Sequence, residues 1–368
     1  MPSQNVVICN YCVHNLLEAH MDLAYVEFQQ VDLGDEFFTS LKQDYGEFEL
    51  WFKKKANNRA YVHRTPQGNL DGFLYLKREE GAVTDVEPSL PPKNRLKVGT
   101  FKIDAHGTKL GERFIKKIFD HAVYEGSQDI YVTVFEKHAG LITLLSRYGF
   151  TQVATKTTAN GTELVFLRKM AWEGASLDEN YPLVRTAGRQ FLMSLYPQWH
   201  TRLLPDSILK NEDTDIIKDV SHANSVHKVY LTAMQGVDTL RRGDVLLIYR
   251  TSDQQGAAHY RSVATSVCVV EEFRNINSFA SEDEFLTYCA PFSVFTNQEL
   301  RSFYKSRKYP FVIRFTYNIA LKRRPNRKVL IEEVGLQSDQ YWGFFQLTKQ
   351  QFKAILTKGE VNESLIVD

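Results

Sequence analysis

Residues Leu96 to Ala122 read LKVGTFKIDAHGTKLGERFIKKIFDHA, and this stretch decides the fold of the first half of the chain. Its β-branched and aromatic beginning, as far as Ile103, predicts a strand that enters a short turn at 104–108. After the turn, apolar residues recur at helical spacing and predict an amphipathic helix: Leu110, Phe114, Ile118 and Ala122. A strand that passes through a glycine-containing turn into a helix is typical of a mixed α/β sheet.

Strands and helices alternate on both sides of this unit. Downstream, the sequence predicts a buried strand at 130–135, a helix at 139–148, and two strands at 151–157 and 163–169. Upstream, it predicts a strand at 25–31, two short helices between 37 and 52, and a hairpin over 61–77. Residues 79–95 contain prolines and glycines without periodicity and are predicted to form a loop.

Length and composition limit the class of protein. A chain of 368 residues suggests two domains or possibly three, and 45 basic against 44 acidic residues leave a net charge of +1. No apolar run is long enough to span a membrane, and the N-terminus is a poor signal peptide. Four cysteines indicate a reducing compartment, so we expect a cytoplasmic protein that does not bind a membrane.

The N-terminal segment carries half of a zinc pattern. Cys9 and Cys12 have the spacing of one zinc knuckle, with His14 and His20 nearby. A structural zinc site usually takes four ligands, and no second CxxC exists in the chain. A terminal element with buried thiols is the favoured interpretation, and we expect no metal.

Composition also predicts the domain boundaries. Residues 1–24 form an N-terminal extension, and 25–170 form the first domain. Residues 171–188 lack periodicity and are predicted to be a linker. Residues 189–368 are rich in β-branched and aromatic runs and form the second domain.

The turn before the first-domain helix carries a family pattern. His106-Gly107-Thr108-Lys109-Leu110-Gly111 resembles the motif of the GNAT superfamily of acetyl-CoA-dependent N-acetyltransferases. That motif has Gln or Arg, two residues, Gly, one residue, then Gly or Ala. The last glycine matches, whereas His106 and Lys109 depart from the pattern. Arg147-Tyr148-Gly149-Phe150 follows at the distance that the family has, and the resemblance covers residues 25–169.

The resemblance implies that acetyl-CoA is the co-substrate, with its pantetheine arm along the strand and its pyrophosphate at the turn. A helix N-terminus offers unpaired N–H groups and a positive dipole end, which independently suit a pyrophosphate. An ordinary turn with a solvated histidine and lysine is the simpler alternative. The implied cofactor-binding residues are Phe101, Ile103, His106, Gly107, Thr108, Lys109, Leu110, Gly111, Glu112 and His138.

The catalytic groups are less clear. The family commonly has a tyrosine acid at the position that Leu145 occupies here. Tyr148 is a candidate acid and Glu136 a candidate base, although a core aromatic and a solvated carboxylate are the simpler interpretations. Catalysis by positioning alone, or an inactive acetyl-CoA-binding domain, therefore stays open.

The second half concentrates positive charge. The window from Leu300 to Leu330 holds ten basic residues, six aromatic residues and no Asp or Glu. Such a mixture suits a nucleic-acid surface, and a charged hairpin with buried aromatics is the alternative. Around Gly243-Asp244 the sequence resembles the opening of PUA-like barrels of the ASCH and EVE types. The residues we expect to contact nucleic acid are Lys228, Tyr249, Arg250, Arg314, Arg323, Arg324 and Trp342.

The expected fold is an α/β domain with a GNAT-like mixed sheet and flanking helices, joined to a second, mainly β, PUA-like barrel. The expected function is acetyl transfer from acetyl-CoA to an amine of an RNA-linked acceptor, either an aminoacyl-tRNA or a nucleobase. Acetylation of an aminoacyl-tRNA is also the way in which acetyltransferase toxins block translation. Whether the chain has a protein partner such as an antitoxin stays an open question. Acetylation of a protein or small-molecule amine, and a non-catalytic acetyl-CoA sensor that binds nucleic acid, are the alternatives.

Overall fold

The computed structural model describes residues 23–65, 67–104, 106–210, 212 and 219–368, so the Cys9 and Cys12 pattern lies outside the described residues. The chain divides into two compact units. The first comprises the described parts of 1–146, 150–170 and 212–219, and the second those of 147–149, 171–211 and 220–368. Each unit combines a sheet with helices, which confirms the mixed α/β class. Within the described ranges, no helix is both long and apolar enough to cross a membrane.

The first unit is built on a seven-stranded sheet. Its elements, through residue 169 and in chain order, are β1 (Leu23–Glu27), α1 (Thr39–Asp44), α2 (Phe48–Lys54), β2 (Arg59–Arg64), β3 (Leu70–Val83), β4 (Leu90–Ile103), α3 (Leu110–Tyr124), β5 (Asp129–Val134), α4 (Ala139–Arg147), β6 (Thr151–Thr158) and β7 (Gly161–Lys169). The strand order is β1-β2-β3-β4-β5-β7-β6. Only the β4–β5 pair in this order is parallel, and α3 connects its two strands. The strand, turn and helix predicted from 96–122 are therefore confirmed.

Residues 79–95 form the far half of a long hairpin, and the prediction of a loop is wrong. β3 and β4 each run for 14 residues and pair from Gly72–Ile103 to Val83–Leu90. Many side chains of this half are exposed. Because neither face is consistently buried, the sequence shows no alternation that would mark the strands.

Apolar layers cover both faces of the sheet. On one face, Phe73 of β3 lies at ring-centroid distances of 5.3–5.9 Å from three aromatic side chains: Phe28, Phe38 and Phe52. On the other face, Gly72 leaves room for α3, because a Cβ at this position would lie 2.8 Å from Cζ of Phe114. Successive strand residues point to opposite faces of the sheet, so Phe73 packs in the layer on one face and the adjacent Gly72 makes room for the layer on the other.

The second unit is built on a six-stranded sheet with several helices. Its elements are α5 (Leu177–Asn180), β8 (Val184–Arg185), β9 (Gln190–Leu195), α6 (Pro197–Leu203), α7 (Ser221–Asn224), β10 (His227–Thr232), β11 (Val245–Arg250), α8 (Ala258–Arg261), β12 (Val263–Asn275), α9 (Glu282–Cys289), α10 (Asn297–Ser306), β13 (Phe311–Ala320), α11 (Arg327–Glu332), β14 (Phe344–Leu347), α12 (Lys349–Lys358) and β15 (Ile366–Val367). The large sheet has the order β10-β13-β12-β11-β9-β14, and β8 pairs with β15.

Residues 171–188, expected to be a linker, pack as part of the second unit. Tyr181 and Val184 are buried, and the Tyr181 hydroxyl donates to the carbonyl oxygen of Tyr317 at 2.9 Å. Val184 pairs with Ile366 in the small sheet. The aperiodic sequence of this segment therefore reflects an irregular but buried path.

A buried histidine lies in the core of the second unit. The side chain of His200 on α6 is inaccessible to solvent, and its Nε2 lies 2.8 Å from the Thr265 hydroxyl. Burial, with a smaller contribution from the charges of Arg250 and Arg324, lowers the pKa of His200 to about 3. The imidazole is therefore neutral in the folded chain throughout the weakly acidic range.

This burial predicts a pH-dependent stability. A histidine in an unfolded chain titrates near pH 6.5. Neutral His200 therefore contributes stability that is present above about pH 6.5 and is lost as the pH falls toward about 3, by at most about 1.4 kcal/mol per pH unit. We expect His200→Gln to flatten this part of the pH dependence in urea unfolding followed between pH 7 and pH 4. His259→Gln, at a histidine whose side chain is 38% exposed, is the control, and an unchanged slope in His200→Gln would contradict the assignment.

Candidate functional site

The parallel pair β4–β5 opens partway along its length. The two strands pair only from Arg95–Asp129 to Val98–Val132. Beyond this point, residues 100–103 of β4 pair with β3 alone among the described strands. Half of the main-chain groups in this stretch therefore face the gap between β4 and β5, where an extended ligand could pair with them.

A β-bulge lies where the strands part. Tyr75 pairs with Thr100 and Leu76 with Val98, so Gly99 is the extra residue on β4. A Cβ at Gly99 would lie 2.7 Å from Cδ1 of Tyr75, so a side chain does not fit there. Bulges bend a strand and increase its twist, which accounts for the departure of β4 from β5.

A left-handed turn follows the open end of β4. Gly107 has φ of 86° and Lys109 has φ of 60° before α3 begins at Leu110. Position 107 favours glycine, because glycine adopts a positive φ without steric cost. Gly111 has a different role, because a Cβ there would lie 2.9 Å from Cδ2 of Leu144. Gly111 thus serves the packing of α3 against α4, whereas the sequence suggested close approach to a ligand.

The carboxylate of Asp219 is hydrogen-bonded at this turn. Nε2 of His106 lies 2.7 Å from Oδ2 of Asp219, and the Thr108 hydroxyl lies 3.4 Å from the same oxygen. Nδ1 of His106 lies 3.1 Å from the carbonyl oxygen of Asp104. The hydrogen bond to Asp219, with that to the carbonyl, raises the pKa of His106 and so favours the imidazolium. Positive charge therefore lies beside the N-terminus of α3, an arrangement that suits an anion.

A second polar group is linked to β5 through Thr133. The carboxylate of Glu163 on β7 is buried, and its Oε1 accepts hydrogen bonds from the Tyr45 hydroxyl at 2.7 Å and the Thr133 hydroxyl at 3.1 Å. Burial and the Glu163 carboxylate raise the pKa of Tyr45 far above its usual range, so this phenol stays protonated and donates. Thr133 immediately follows the last β5 residue that pairs with β4.

The residues predicted from sequence are not all at the gap. Phe101 and Ile103 lie on the open stretch of β4, and Leu110 and Glu112 are buried in the first turn of α3. Nε2 of His138, just before α4, lies 3.3 Å from Oδ2 of Asp44. Glu136 is exposed after β5.

Tyr148, the candidate acid, is buried and grouped with the second unit. Its ring lies 5.8 Å from that of Tyr181, and its hydroxyl lies 3.5 Å from Nε2 of His227. Leu145, at the position where the family has tyrosine, is also buried. The simpler interpretation of Tyr148, a core aromatic, therefore describes its surroundings.

Four of the seven expected nucleic-acid contacts lie in the interior of the second unit. All four are less than 9% exposed: Lys228, Tyr249, Arg250 and Trp342. The ammonium of Lys228 donates to the carbonyl oxygens of His222 and Ala223 at 2.6 and 3.2 Å. Lys228, Tyr249 and Arg250 lie on β10 and β11, which are buried along their whole length, and contact of the four residues with nucleic acid stays a prediction.

The other three contacts are nearer the surface. Arg314 pairs with Glu271 at 3.0 Å, and Arg323 is exposed beside Glu360 at 2.8 Å. Nη2 of Arg324 lies 3.5 Å from the carbonyl oxygen of Asp206. A denser group of exposed basic side chains, which we call the α10 basic surface, lies at the end of α10 and just beyond it: Arg301, Lys305, Arg307 and Lys308.

Sequence reasoning missed Tyr45 and Glu163 as functional residues. Tyr45 fits a helical apolar pattern, and Glu163 stands at the start of a predicted strand. The sequence did contain one signal for Glu163, which stands at the start of an apolar strand. A carboxylate in such a position is buried only when a hydrogen-bonding or charged partner satisfies it. No sequence signal points to its pairing with Tyr45, which lies 118 positions away.

Comparisons with known proteins add a distant structural likeness. Neither a family model nor a curated protein matches the chain. Among solved structures, ASCH from Zymomonas mobilis is similar at 11% identity and a TM-score of 0.29, over 46% of this chain and 94% of that protein. An IAA acetyltransferase from Bacillus cereus is similar at 9% identity and a TM-score of 0.31, over 40% of this chain and 97% of that protein.

A further similar structure is Naa20 of Chaetomium thermophilum in complex with a bisubstrate analogue. Its identity is 12% and its TM-score 0.30, over 40% of this chain and 85% of that protein. The structures similar to this chain thus include acetyltransferases and ASCH proteins. TM-scores this low do not establish a shared fold, so the activities of these proteins are not transferred to the chain.

Proposed function

We propose that the chain is an acetyl-CoA-dependent N-acetyltransferase that acts on an amine of an RNA-linked acceptor, an aminoacyl-tRNA or a nucleobase. The observation that carries the proposal is the parting of β4 from β5 at Gly99, with the N-terminus of α3 at the end of the opened strand. An edge of free main-chain groups that leads to an anion site suits a ligand with an amide-containing arm and a pyrophosphate.

Acetyl-CoA would use the two features in turn. The pantetheine amides would pair with β4 near Phe101 and Ile103, as an added strand does. The pyrophosphate would take the N-terminus of α3, where Gly107 allows the turn and the His106 imidazolium supplies charge. Asp219 binds at this turn in the structure, so the pyrophosphate would compete with its carboxylate.

Glu163 is the proposed proton acceptor. The amine nitrogen attacks the thioester carbonyl carbon, a C–N bond forms, and the C–S bond breaks. The attacking nitrogen loses one proton to Glu163, and the departing thiolate takes up a proton from solvent. Oε2 of Glu163 accepts no hydrogen bond from the described residues, whereas Oε1 is held by Tyr45 and Thr133. The carboxylate is thus fixed in place with one oxygen available.

Acetyl-CoA binding tests the turn. Gly107→Val forces a β-branched residue into a positive-φ conformation, so we expect acetyl-CoA affinity to fall at least about tenfold, as a loss of roughly 1.4 kcal/mol. Gly81→Val is the matched control, because its φ is 94° and open space surrounds it as it does Gly107. Isothermal titration calorimetry gives both affinities. Equal affinities in the two variants would contradict the assignment of the turn.

The proton acceptor has its own test. Glu163→Gln keeps the size of the side chain and removes its basicity, so we expect the rate of acetyl transfer to fall by about 10²-fold or more. Acetyl-CoA affinity should stay unchanged. Glu136→Gln, at the exposed carboxylate that the sequence suggested, should leave the rate near that of the unmodified chain. A slow Glu136→Gln variant together with a Glu163→Gln variant of normal rate would instead assign the role of proton acceptor to Glu136.

The RNA-linked acceptor is proposed from the α10 basic surface. Of the six aromatic side chains of the same sequence window, Phe315 and Tyr317 are buried in the core of the second unit, and the other four are half-buried and packed against that core. Binding would therefore depend on phosphate contacts, which are sensitive to salt and tolerant of sequence.

Labelled acetyl-CoA and a total cell extract test the acceptor. We expect ribonuclease to release the label, and Lys305→Glu/Lys308→Glu to weaken RNA retention and reduce its salt slope by about one for each phosphate that is no longer bound. Lys53→Glu/Lys54→Glu on α2 is the matched control, since both lysines are exposed at a helix end. Label that protease removes, or that passes a small-molecule filter, would favour a protein or small amine. Tight acetyl-CoA binding without transfer would favour a sensor.

A further inference from the structure

Four potential metal ligands meet at one end of the first-unit sheet, beside the turn before α3. They come from separate parts of the chain: His63 on β2, Asp71 on β3, His106 in the turn, and Asp219. The structure has a local cause for the meeting. His63 pairs with Gly72 and Arg64 with Leu70, so Asp71 is the extra residue of a β-bulge. A bulge redirects a side chain, and here it brings the Asp71 carboxylate to His63.

The main chain also ties the turn to this bulge. The N–H of Asp104 donates to the carbonyl oxygen of Asp71 at 2.9 Å, two residues before His106. The His106 ring is then close to both carboxylates, with Nε2 at 2.7 Å from Oδ2 of Asp219 and 3.7 Å from Oδ2 of Asp71. Main-chain contacts therefore tie together the three segments that carry His63, Asp71 and His106.

Two buried polar atoms in this group have no hydrogen-bond partner among the residues that the structure describes. His63 is inaccessible to solvent and Asp71 is 3% exposed, yet Nε2 of His63 and Oδ2 of Asp71 are both unpaired. A buried polar atom without a partner costs about 1–3 kcal/mol, and two such atoms in one small cluster call for an explanation.

The tautomer of His63 shows what the free nitrogen offers. Nδ1 of His63 lies 2.5 Å from Oδ1 of Asp71, so this nitrogen carries a proton and donates it to the carboxylate. In the neutral ring Nε2 then carries the lone pair, and it lies 3.9 Å from Oδ1 of Asp219. A carboxylate that fixes a histidine through one nitrogen, with the other nitrogen free, is the usual arrangement around a metal-binding histidine.

We propose that His63, His106 and Asp219 bind a divalent transition-metal ion such as Zn²⁺, with Asp71 orienting His63 and available as a fourth ligand. In a four-coordinate site with bonds near 2.0–2.1 Å, ligand atoms lie roughly 3.4 Å apart. His63, Asp71 and Asp219 offer ligand atoms that all lie within 4.8 Å of one another. Nε2 of His63 lies 3.9 Å from Oδ1 of Asp219, and Nε2 of His106 lies 3.7 Å from Oδ2 of Asp71, so these two pairs exceed the ideal spacing by only a few tenths of an ångström. The His106–Asp219 hydrogen bond would be exchanged for two metal bonds, and the His106 Nε2 proton would be released. Mixed imidazole and carboxylate ligands favour Zn²⁺, Co²⁺ or Ni²⁺ over Mg²⁺ or Ca²⁺.

A second group of similar composition does not fit a cation. Asp178, His227 and Glu271 of the second unit also lie close together. Nη2 of Arg147 lies 2.5 Å from Nε2 of His227, and Glu271 takes Nδ1 at 2.9 Å. Both ring nitrogens are therefore occupied, and a guanidinium supplies the positive charge that a metal would bring.

Cobalt binding to the full chain tests the site. Because Cys9 and Cys12 could bind metal themselves, the chain used carries Cys9→Ser and Cys12→Ser. We expect one equivalent of Co²⁺ to bind and to give visible d–d absorption. Removal of a ligand in His63→Gln should abolish these bands, and loss of the orienting carboxylate in Asp71→Asn should weaken binding by about 10–100-fold. His259→Gln is the control, because its side chain is 38% exposed, as is that of His106.

A variant at a buried histidine can fail to fold, so Asp219→Asn provides an independent ligand loss at the edge of the cluster. Circular dichroism checks the fold of each variant. Loss of the bands in folded Asp219→Asn supports the site. Failure of the chain to bind Co²⁺, or bands that persist in both ligand variants, would overturn it. The readout involves no acetyl-CoA and no transfer, so a failure of the metal site is distinguishable from a failure of the proposed acetyltransferase function. His106 and Asp219 belong to both proposals, so bound metal and bound pyrophosphate would compete for this turn.

Discussion

The break in pairing between β4 and β5 is the constraint on which the first unit depends. A single extra residue on β4 produces it, and the ring of Tyr75 leaves room at that place only for glycine. Once the strands separate, the sheet has an edge in its interior, which is otherwise an expensive arrangement. The polar groups of the candidate site lie around this edge, with Thr133 and Glu163 on the β5 side and the α3 turn at its end.

Local patterns in the sequence predict the local structure well. Strand β4, the turn and helix α3 follow from alternation and helical spacing, because each element buries one consistent face. The far half of the β3–β4 hairpin has no such face, so its sequence is typical of a loop. Helix α10 was missed although its start is visible in the sequence, since Thr296 and Glu299 form a capping box.

The sites depend on information that the sequence does not display. The turn at 106–109 could be found because all its residues are neighbours in the chain. Glu163 and Tyr45 meet only because α1 and β7 fold onto the same region, and Asp71 reaches His63 only through a bulge. The residue type of Lys228 led to a wrong expectation, because a lysine usually lies at the surface. Here main-chain carbonyl oxygens accept hydrogen bonds from its ammonium group, so the side chain is buried.

The position of Asp219 has a consequence for the architecture of the whole polypeptide. The first unit is not a contiguous module, because Glu212 and Asp219 are grouped with it although residues 171–210 are grouped with the second unit. A fragment cut at residue 170 would keep every strand of the seven-stranded sheet and yet lack a carboxylate that lies at its α3 turn. Exchange of either half as a cassette would therefore separate His106 from the carboxylate to which it is hydrogen-bonded.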